Sequence, residues 1–288
     1  MSILAKKWTP LKQDFNKGIH DALQQQHYAS QLIAMAGRHL IEQQADDSNT
    51  NMQYDSKRNL LIGNELGKGY HIALNLSNMY LLLLNKDFEK VKQFALEGKT
   101  MDKSFDILRD ILWAAGIDVS KFKKELHYKI PKHPLAKNAI FTIDEEDYFN
   151  ENAAYRSNAE LILNEIRKKH HLKEDIKVWP HHFDTGSFIP IAHNAKGELI
   201  QSIGLGLAIP DSMVNEPYYY LSFWSAEPIK ELAKPDELTV GNWMMPNWNG
   251  AILKQSDILK VKSASVQHQI VQDFYQSGIK ILSQYFKI

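Results

Sequence analysis

The chain of 288 residues contains no cysteine. This absence excludes disulfide bonds, thiolate nucleophiles and zinc sites with cysteine ligands. The chain also lacks an excess of charge of either sign, because 34 lysines and arginines balance 34 aspartates and glutamates. A balanced chain has no overall field that would attract nucleic acid or an anionic membrane surface. We therefore expect neither nucleic acid nor a membrane as a partner.

Long apolar runs are also missing, so the sequence predicts no membrane-spanning helix. The first fifteen residues carry charges where a secretory signal peptide would need an apolar stretch. The hydrophobic content of 44% and the charged content of 24% are typical of globular proteins. From these features we expect a cytoplasmic protein.

Fingerprints of a bound cofactor are absent as well. The pair Gly204 and Gly206 lacks the third glycine of a dinucleotide-binding motif, and no predicted helix follows it. The sequence therefore indicates no cofactor, and it does not determine the oligomeric state.

Apolar periodicity indicates an α+β fold, with a mainly antiparallel sheet and helices packed on it. The predicted helices cover about 22–44, 101–115, 153–169 and 265–286, and the predicted strands cover 58–62, 71–74, 79–84, 176–183, 187–193, 199–209 and 218–224. Residues 1–135 and 136–288 each follow the order helix, meander, helix. We expect two similar halves in one compact unit, with the candidate site in the second half. The segment 121–150, which is acidic towards its end, is predicted to connect them.

The stretch "VWPHHFDTGSF" contains Asp184-Thr185-Gly186-Ser187, the wording of an aspartic peptidase loop. Such peptidases need two loops of this kind, because two carboxylates must share one proton. The chain has one, past its midpoint and after a helix-rich stretch, so peptidase chemistry is disfavoured. We predict instead a turn in which the Asp184 carboxylate accepts the backbone N–H of Gly186.

Strand alternation separates the two neighbouring histidines of this stretch. If 178–184 is extended, His182 and Asp184 lie on one face and His181 on the other. The adjacent histidines then cannot readily bind one metal ion together. A metal held by His182, Asp184 and Glu216 is also disfavoured, because the sequence has neither HxH nor HExxH spacing.

The same alternation gives two further strands an unusual face. In 199–209 the aliphatic residues alternate with Ser202, Gly204, Gly206 and Ala208. In 216–224 a polar face opposes the apolar face of Tyr219, Leu221 and Phe223. If the three strands are neighbours, the bare glycines leave room above the sheet, and polar groups surround this predicted pocket: His182, Asp184, Glu216, Tyr218 and Tyr220. The alternative is a surface on which a helix packs.

Two tryptophans, Trp243 and Trp248, lie in the glycine- and asparagine-rich segment 241–253. Exposed tryptophans are costly, so these two either cap the core or stack on a flat ligand.

The residues leave three functions open. The first is a protein that binds a small polar or aromatic ligand, with Trp243 and Trp248 stacking and Tyr218 and Tyr220 donating hydrogen bonds. In this protein His182, Asp184 and Glu216 fix the orientation of the ligand. The second is a hydrolase-type enzyme, either with or without a metal ion. In this enzyme His182 is the general base and Asp184 orients it, while Glu216 is a second acid or base or a metal ligand. The third is a structural or interaction protein whose aromatic residues are simply core.

Four stretches together resemble a family of bacterial proteins of unknown function: "WPHHFD", "IGLGLAIPD", "EPYYYLSFW" and "GNWMMPNWNGAIL". The first half, with "MQYDSKRNLLIG" and "LEGKTMDKSFDILRDILWAAG", is similar to that family too. The chain departs from the pattern at 185–187, where apolar residues are expected, at Asn249 between Trp248 and Gly250, and at Asp211 directly after Pro210. The resemblance implies that the four stretches form one constellation, and it implies no reaction.

Overall fold

The structure, a computed structural model, describes residues 7–233 and 235–286. The chain divides into two compact units that interleave in sequence. The first unit comprises Asn16–Ala153 and Lys177–Phe183, and the second comprises Met1–Phe15, Ala154–Ile176 and Asp184–Ile288. The sequence instead predicted a single boundary between residues 135 and 136.

The first unit contains two helices, six strands and the beginning of a third helix. In chain order these are α1 (Lys17–Leu40), β1 (Met52–Asp55), β2 (Leu60–Gly63), β3 (His71–Asn75), β4 (Tyr80–Leu84), β5 (Lys90–Ala95), α2 (Met101–Ala114), the start of α3 (Glu146–His170) and β6 (Lys177–Trp179). The strands are ordered β6-β1-β2-β3-β4-β5, and every pairing is antiparallel. A hairpin meander therefore accounts for most of this unit.

Local signals explain where the first two helices begin. The side chain of Asn16 accepts the N–H groups of Gly18 and Ile19, which would otherwise have no partner at the start of α1. The Thr100 side chain likewise accepts the N–H group of Lys103 at the start of α2. Helix α1 is buried along most of its length.

The second unit contains the end of α3, five strands and two further helices. These are β7 (Asp184–His193), β8 (Leu199–Ala208), β9 (Tyr218–Ser225), β10 (Asn242–Trp243), β11 (Gly250–Lys254), α4 (Gln255–Ile258) and α5 (Ala264–Leu282). The strands are ordered β7-β8-β9-β11-β10 and pair antiparallel.

Helices cover one face of these five strands. The predicted aliphatic face of β8 is buried, with Leu205 only 1% exposed, and it shares a core cluster with Leu221 of β9. Ile162 of α3 and Phe274 of α5 belong to the same cluster. Burying an aliphatic side chain of this size contributes about 1.5–3 kcal/mol, so this face supplies much of the unit's stability.

The predicted α+β fold with a mainly antiparallel sheet is confirmed, with eleven strands and five α-helices in the described residues. The similarity of two halves stays a prediction. No helix among those residues is long and apolar enough to cross a membrane.

The sequence did not predict strands β1, β5, β10 and β11 or helix α4, and two of the predicted segments have a different structure. The strand predicted to reach Phe183 ends at Trp179 and is followed by a turn over 180–183, in which Phe183 has a φ of 54°. Its buried ring stacks on His27 at a centroid distance of 4.9 Å, and this packing offsets the unfavourable backbone conformation. The end of the predicted connection is helical, because the acidic residues from Glu146 onward form the first turn of α3. Their negative charge interacts favourably with the positive end of the helix dipole.

Candidate functional site

The open face of the second unit's sheet is organised in rows of residues that lie opposite one another on neighbouring strands. Gly204 of β8 lies opposite Phe188 of β7 and opposite Ser222 of β9, and Ser222 lies opposite Gly250 of β11. We call these four residues the open row. The adjacent row, which we call the tyrosine row, consists of four residues in the same register: Gly186, Gly206, Tyr220 and Ile252.

The side chain of Tyr220 fills the space above the two glycines of the tyrosine row. A β-carbon at position 206 would lie 2.5 Å from ring atom Cζ of Tyr220, and one at 186 would lie 2.5 Å from its hydroxyl oxygen. The ring therefore lies across both glycines, and its hydroxyl donates a 2.8 Å hydrogen bond to Asp184. Gly206 and Gly186 make room for Tyr220, so the space that the sequence predicted above Gly206 is occupied.

In the open row, in contrast, Gly204 and Ser222 form the floor of a groove of about 540 Å³. Exposed aromatic residues stand around it, with Phe188 48% and Trp224 45% exposed. Uncharged residues make up the groove's open face: Phe188, Ser202, Gly204, Ser222, Trp224, Pro246, Asn247, Trp248 and Asn249.

The width of the groove follows from the strand spacing. Three inter-strand steps separate Phe188 from Gly250. At the usual spacing between neighbouring strands, the two residues are about 14 Å apart. The Trp248 ring lies directly over Gly250, so one end of the row carries an indole and the other carries the Phe188 ring. Between them the floor has only Gly204 and the small side chain of Ser222. The groove can therefore admit a flat ring edgewise between aromatic walls or face-down on its floor.

The two predicted stacking tryptophans have different roles. Trp243 packs on Phe223 at 6.4 Å within the core cluster, and its Nε1 donates to the carbonyl of Asp236 at 2.9 Å. Trp248 packs edge-on against Tyr220 at 6.5 Å and lines the groove. One tryptophan caps the core and the other stands at the site, because the residues they contact, Phe223 and Tyr220, point to opposite faces of β9.

Tyr218 and Glu216 are engaged elsewhere on the second unit. The Tyr218 hydroxyl donates a 2.6 Å hydrogen bond to Asp211. Glu216 accepts the backbone N–H of Ser256 at 2.7 Å and its hydroxyl at 3.0 Å, at the first turn of α4. Neither side chain lines the groove over the open row.

His182 and Asp184 belong to different units. His182 is exposed in the turn over 180–183, with its ring 4.4 Å from that of His181. The predicted turn at Asp184 is wrong, because Asp184-Thr185-Gly186-Ser187 is the regular start of β7, paired with β8. Within the described residues, no three His, Asp or Glu side chains come together as a metal site. General-base chemistry by His182, Asp184 and Glu216 stays a prediction.

Several lining residues were not singled out from the sequence: Phe188, Ser202, Ser222, Trp224, Asn247 and Asn249. A signal was present for three of them, since alternation already placed Ser202 on the bare face of β8, and Ser222 and Trp224 on the unusual face of β9. Phe188 needed the register of β7, which sequence cannot supply.

Comparison of the chain with protein-family models, with curated proteins and with solved structures gave no match. The family resemblance of the four stretches stays a prediction.

The two glycines of β8 should respond differently to alanine. In Gly206→Ala the new β-carbon collides with the Thr185 carbonyl oxygen, which is backbone, as well as with Tyr220. We expect a loss of about 1–3 kcal/mol in the free energy of unfolding. In Gly204→Ala the nearest atom is the Ser222 hydroxyl, 2.6 Å away, which can rotate. We expect a change within about 0.5 kcal/mol. Urea unfolding of both variants measures the difference, and equal losses would contradict this assignment of the rows.

Alkaline pH should report on the buried tyrosines of the second unit. Burial raises the pKa of Tyr219 and Tyr275. The pKa of Tyr218 is raised mainly by burial and also by the nearby Asp211 carboxylate. The pKa of Tyr220 is raised mainly by burial and also by the Asp184 carboxylate. Because these folded pKa values exceed the unfolded value of about 10, stability is complete below that pH and falls as pH rises above it.

A spectrophotometric titration of tyrosinate, run beside circular dichroism, tests this. We expect these four phenols to ionise only as the protein unfolds, and Tyr220→Phe to remove one of the late-ionising groups. Ionisation of all twelve tyrosines near pH 10 in a protein that is still folded would contradict the burial.

Proposed function

We propose that the chain is a binding protein for a small uncharged ligand with a flat apolar face and a polar rim, and that the ligand lies in the groove over the open row. A saccharide ring has this chemistry, because its C–H face is apolar and its edge carries hydroxyl groups. The observation that supports the proposal most directly is the pair of exposed aromatic rings, Phe188 and Trp224, beside a floor of glycine and serine.

The lining supplies two kinds of contact. The Phe188, Trp224 and Trp248 rings offer apolar faces, whose burial by a ligand removes aromatic surface from water. Asn247 and Asn249 offer amide groups, and Ser202 and Ser222 offer hydroxyls, which can both donate and accept hydrogen bonds. Pockets that bind small molecules combine an apolar lining with a few such polar groups.

The absence of charge in the lining selects among flat ligands. A nucleotide or a sugar phosphate would bring negative charge, and none of the lining residues is a Lys, Arg or His that would bind it. A neutral ring loses no ion hydration on entering such a groove. We therefore favour neutral saccharides over phosphorylated ones.

Trp224→Ala tests the proposal in a titration of the full chain with neutral disaccharides such as cellobiose and maltose, followed by tryptophan fluorescence or calorimetry. Loss of one stacked ring is worth about 1.4 kcal/mol, so we expect a dissociation constant about tenfold larger. Trp113→Ala is the matched control, since Trp113 is 72% exposed on α2 of the first unit and should leave binding unchanged.

Two results would contradict the proposal. One is equal binding by the Trp224→Ala and Trp113→Ala variants. The other is tighter binding of a sugar phosphate than of its neutral parent, because the lining offers no group that would favour the phosphate.

A further inference from the structure

A second groove lies within the first unit, and its floor is apolar. It has a volume of about 510 Å³ and lies between α1, α2 and the segment 124–138, which has little regular structure. Buried side chains from all three elements form its floor: Leu32, Met35, Phe105 and Leu135. None of these contacts depends on the second unit.

The segment 124–138 is fixed over the helices by hydrogen bonds to α1. The Tyr128 hydroxyl donates to the side-chain oxygen of Gln31 at 2.8 Å. The Tyr28 hydroxyl donates to the carbonyl of Pro131 at 2.8 Å and accepts the backbone N–H of His133 at 3.2 Å. The groove is therefore formed before any ligand enters, which lowers the entropic cost of binding.

The mouth of the groove carries an excess of positive charge. Three lysines line it together with a single carboxylate, Asp102, which is paired with Lys124 at 2.6 Å. Lys129 and Lys132 are exposed, and no carboxylate of the described chain forms an ion pair with either. Since the chain as a whole has no net charge, this excess is local to the groove.

We propose that this groove binds a single-chain anionic amphiphile, a fatty carboxylate, with its hydrocarbon tail on the apolar floor and its carboxylate between Lys129 and Lys132. An apolar floor under unpaired ammonium groups complements both ends of such a molecule. The volume lies in the range of small-molecule pockets. An acidic peptide would match the lysines but would leave the apolar lining of the groove exposed to water. This site is independent of the neutral-ligand groove of the second unit.

Calorimetric titration of the full chain with decanoate, kept below the concentration at which it aggregates, tests the proposal. The variant Lys129→Gln with Lys132→Gln should weaken binding at least tenfold, because it removes both charge-assisted contacts. The matched control is Lys90→Gln with Lys92→Gln, which removes the same charge from exposed positions on β5 of the same unit. We expect the control to bind as the wild type does, and all three proteins to melt at similar temperatures.

Varying the chain length and the head group of the ligand separates the contribution of the hydrocarbon tail to binding from that of the charge. Each methylene removed between decanoate and hexanoate should weaken binding roughly fourfold if the tail is buried. Decanol should bind equally to the wild type and to the Lys129 and Lys132 variant. Three results would overturn the proposal: no binding of decanoate, equal weakening in both lysine variants, or binding of a glutamate-rich peptide that decanoate does not displace.

Discussion

The pleat of β8 is the constraint on which the second unit depends. Its side chains alternate between the two faces of the sheet, so one ten-residue strand seals a core and also leaves a surface nearly free of side chains. Leu205 is buried under α3 and α5, while its neighbours Gly204 and Gly206 face the other way. A shift of one residue in register would exchange these faces, and the core would be lost together with the groove.

Glycines within a strand weaken it because they have no side chain to pack, so each row needs other contacts that stabilise the strand. The tyrosine row has it, because Tyr220 covers Gly206 and Gly186 and its hydroxyl is bonded to Asp184. The open row has no such cover at Gly204, where the surface stays concave. The difference between two glycines only two residues apart is thus a difference between a packing site and a candidate binding site.

The sequence predicted much of the fold and less of the site. Periodicity located α1, α2, α5 and strands β7 to β9, because one face of each is apolar. It also placed Tyr220 on the unusual face of β9. It could not show that this ring would cover Gly206, since covering depends on the register between β8 and β9.

Three other differences between the prediction and the structure have the same origin. The role of Trp243 as a core cap depends on its contact with Phe223, and the role of Glu216 depends on its hydrogen bonds to Ser256 at α4. The turn at 180–183 was missed because the packing of Phe183 on His27 overrides the extended pattern around it. Each is a contact between residues far apart in sequence, which local patterns do not encode.

The most direct test of the ligand site is amide chemical-shift mapping of the labelled chain during titration with a mixture of neutral mono- and disaccharides. We expect perturbations to concentrate at Gly204, Ser222, Asn247 and the Trp224 indole, with the amides of the first unit unchanged. An unperturbed spectrum, or perturbations centred away from the open row, would contradict it.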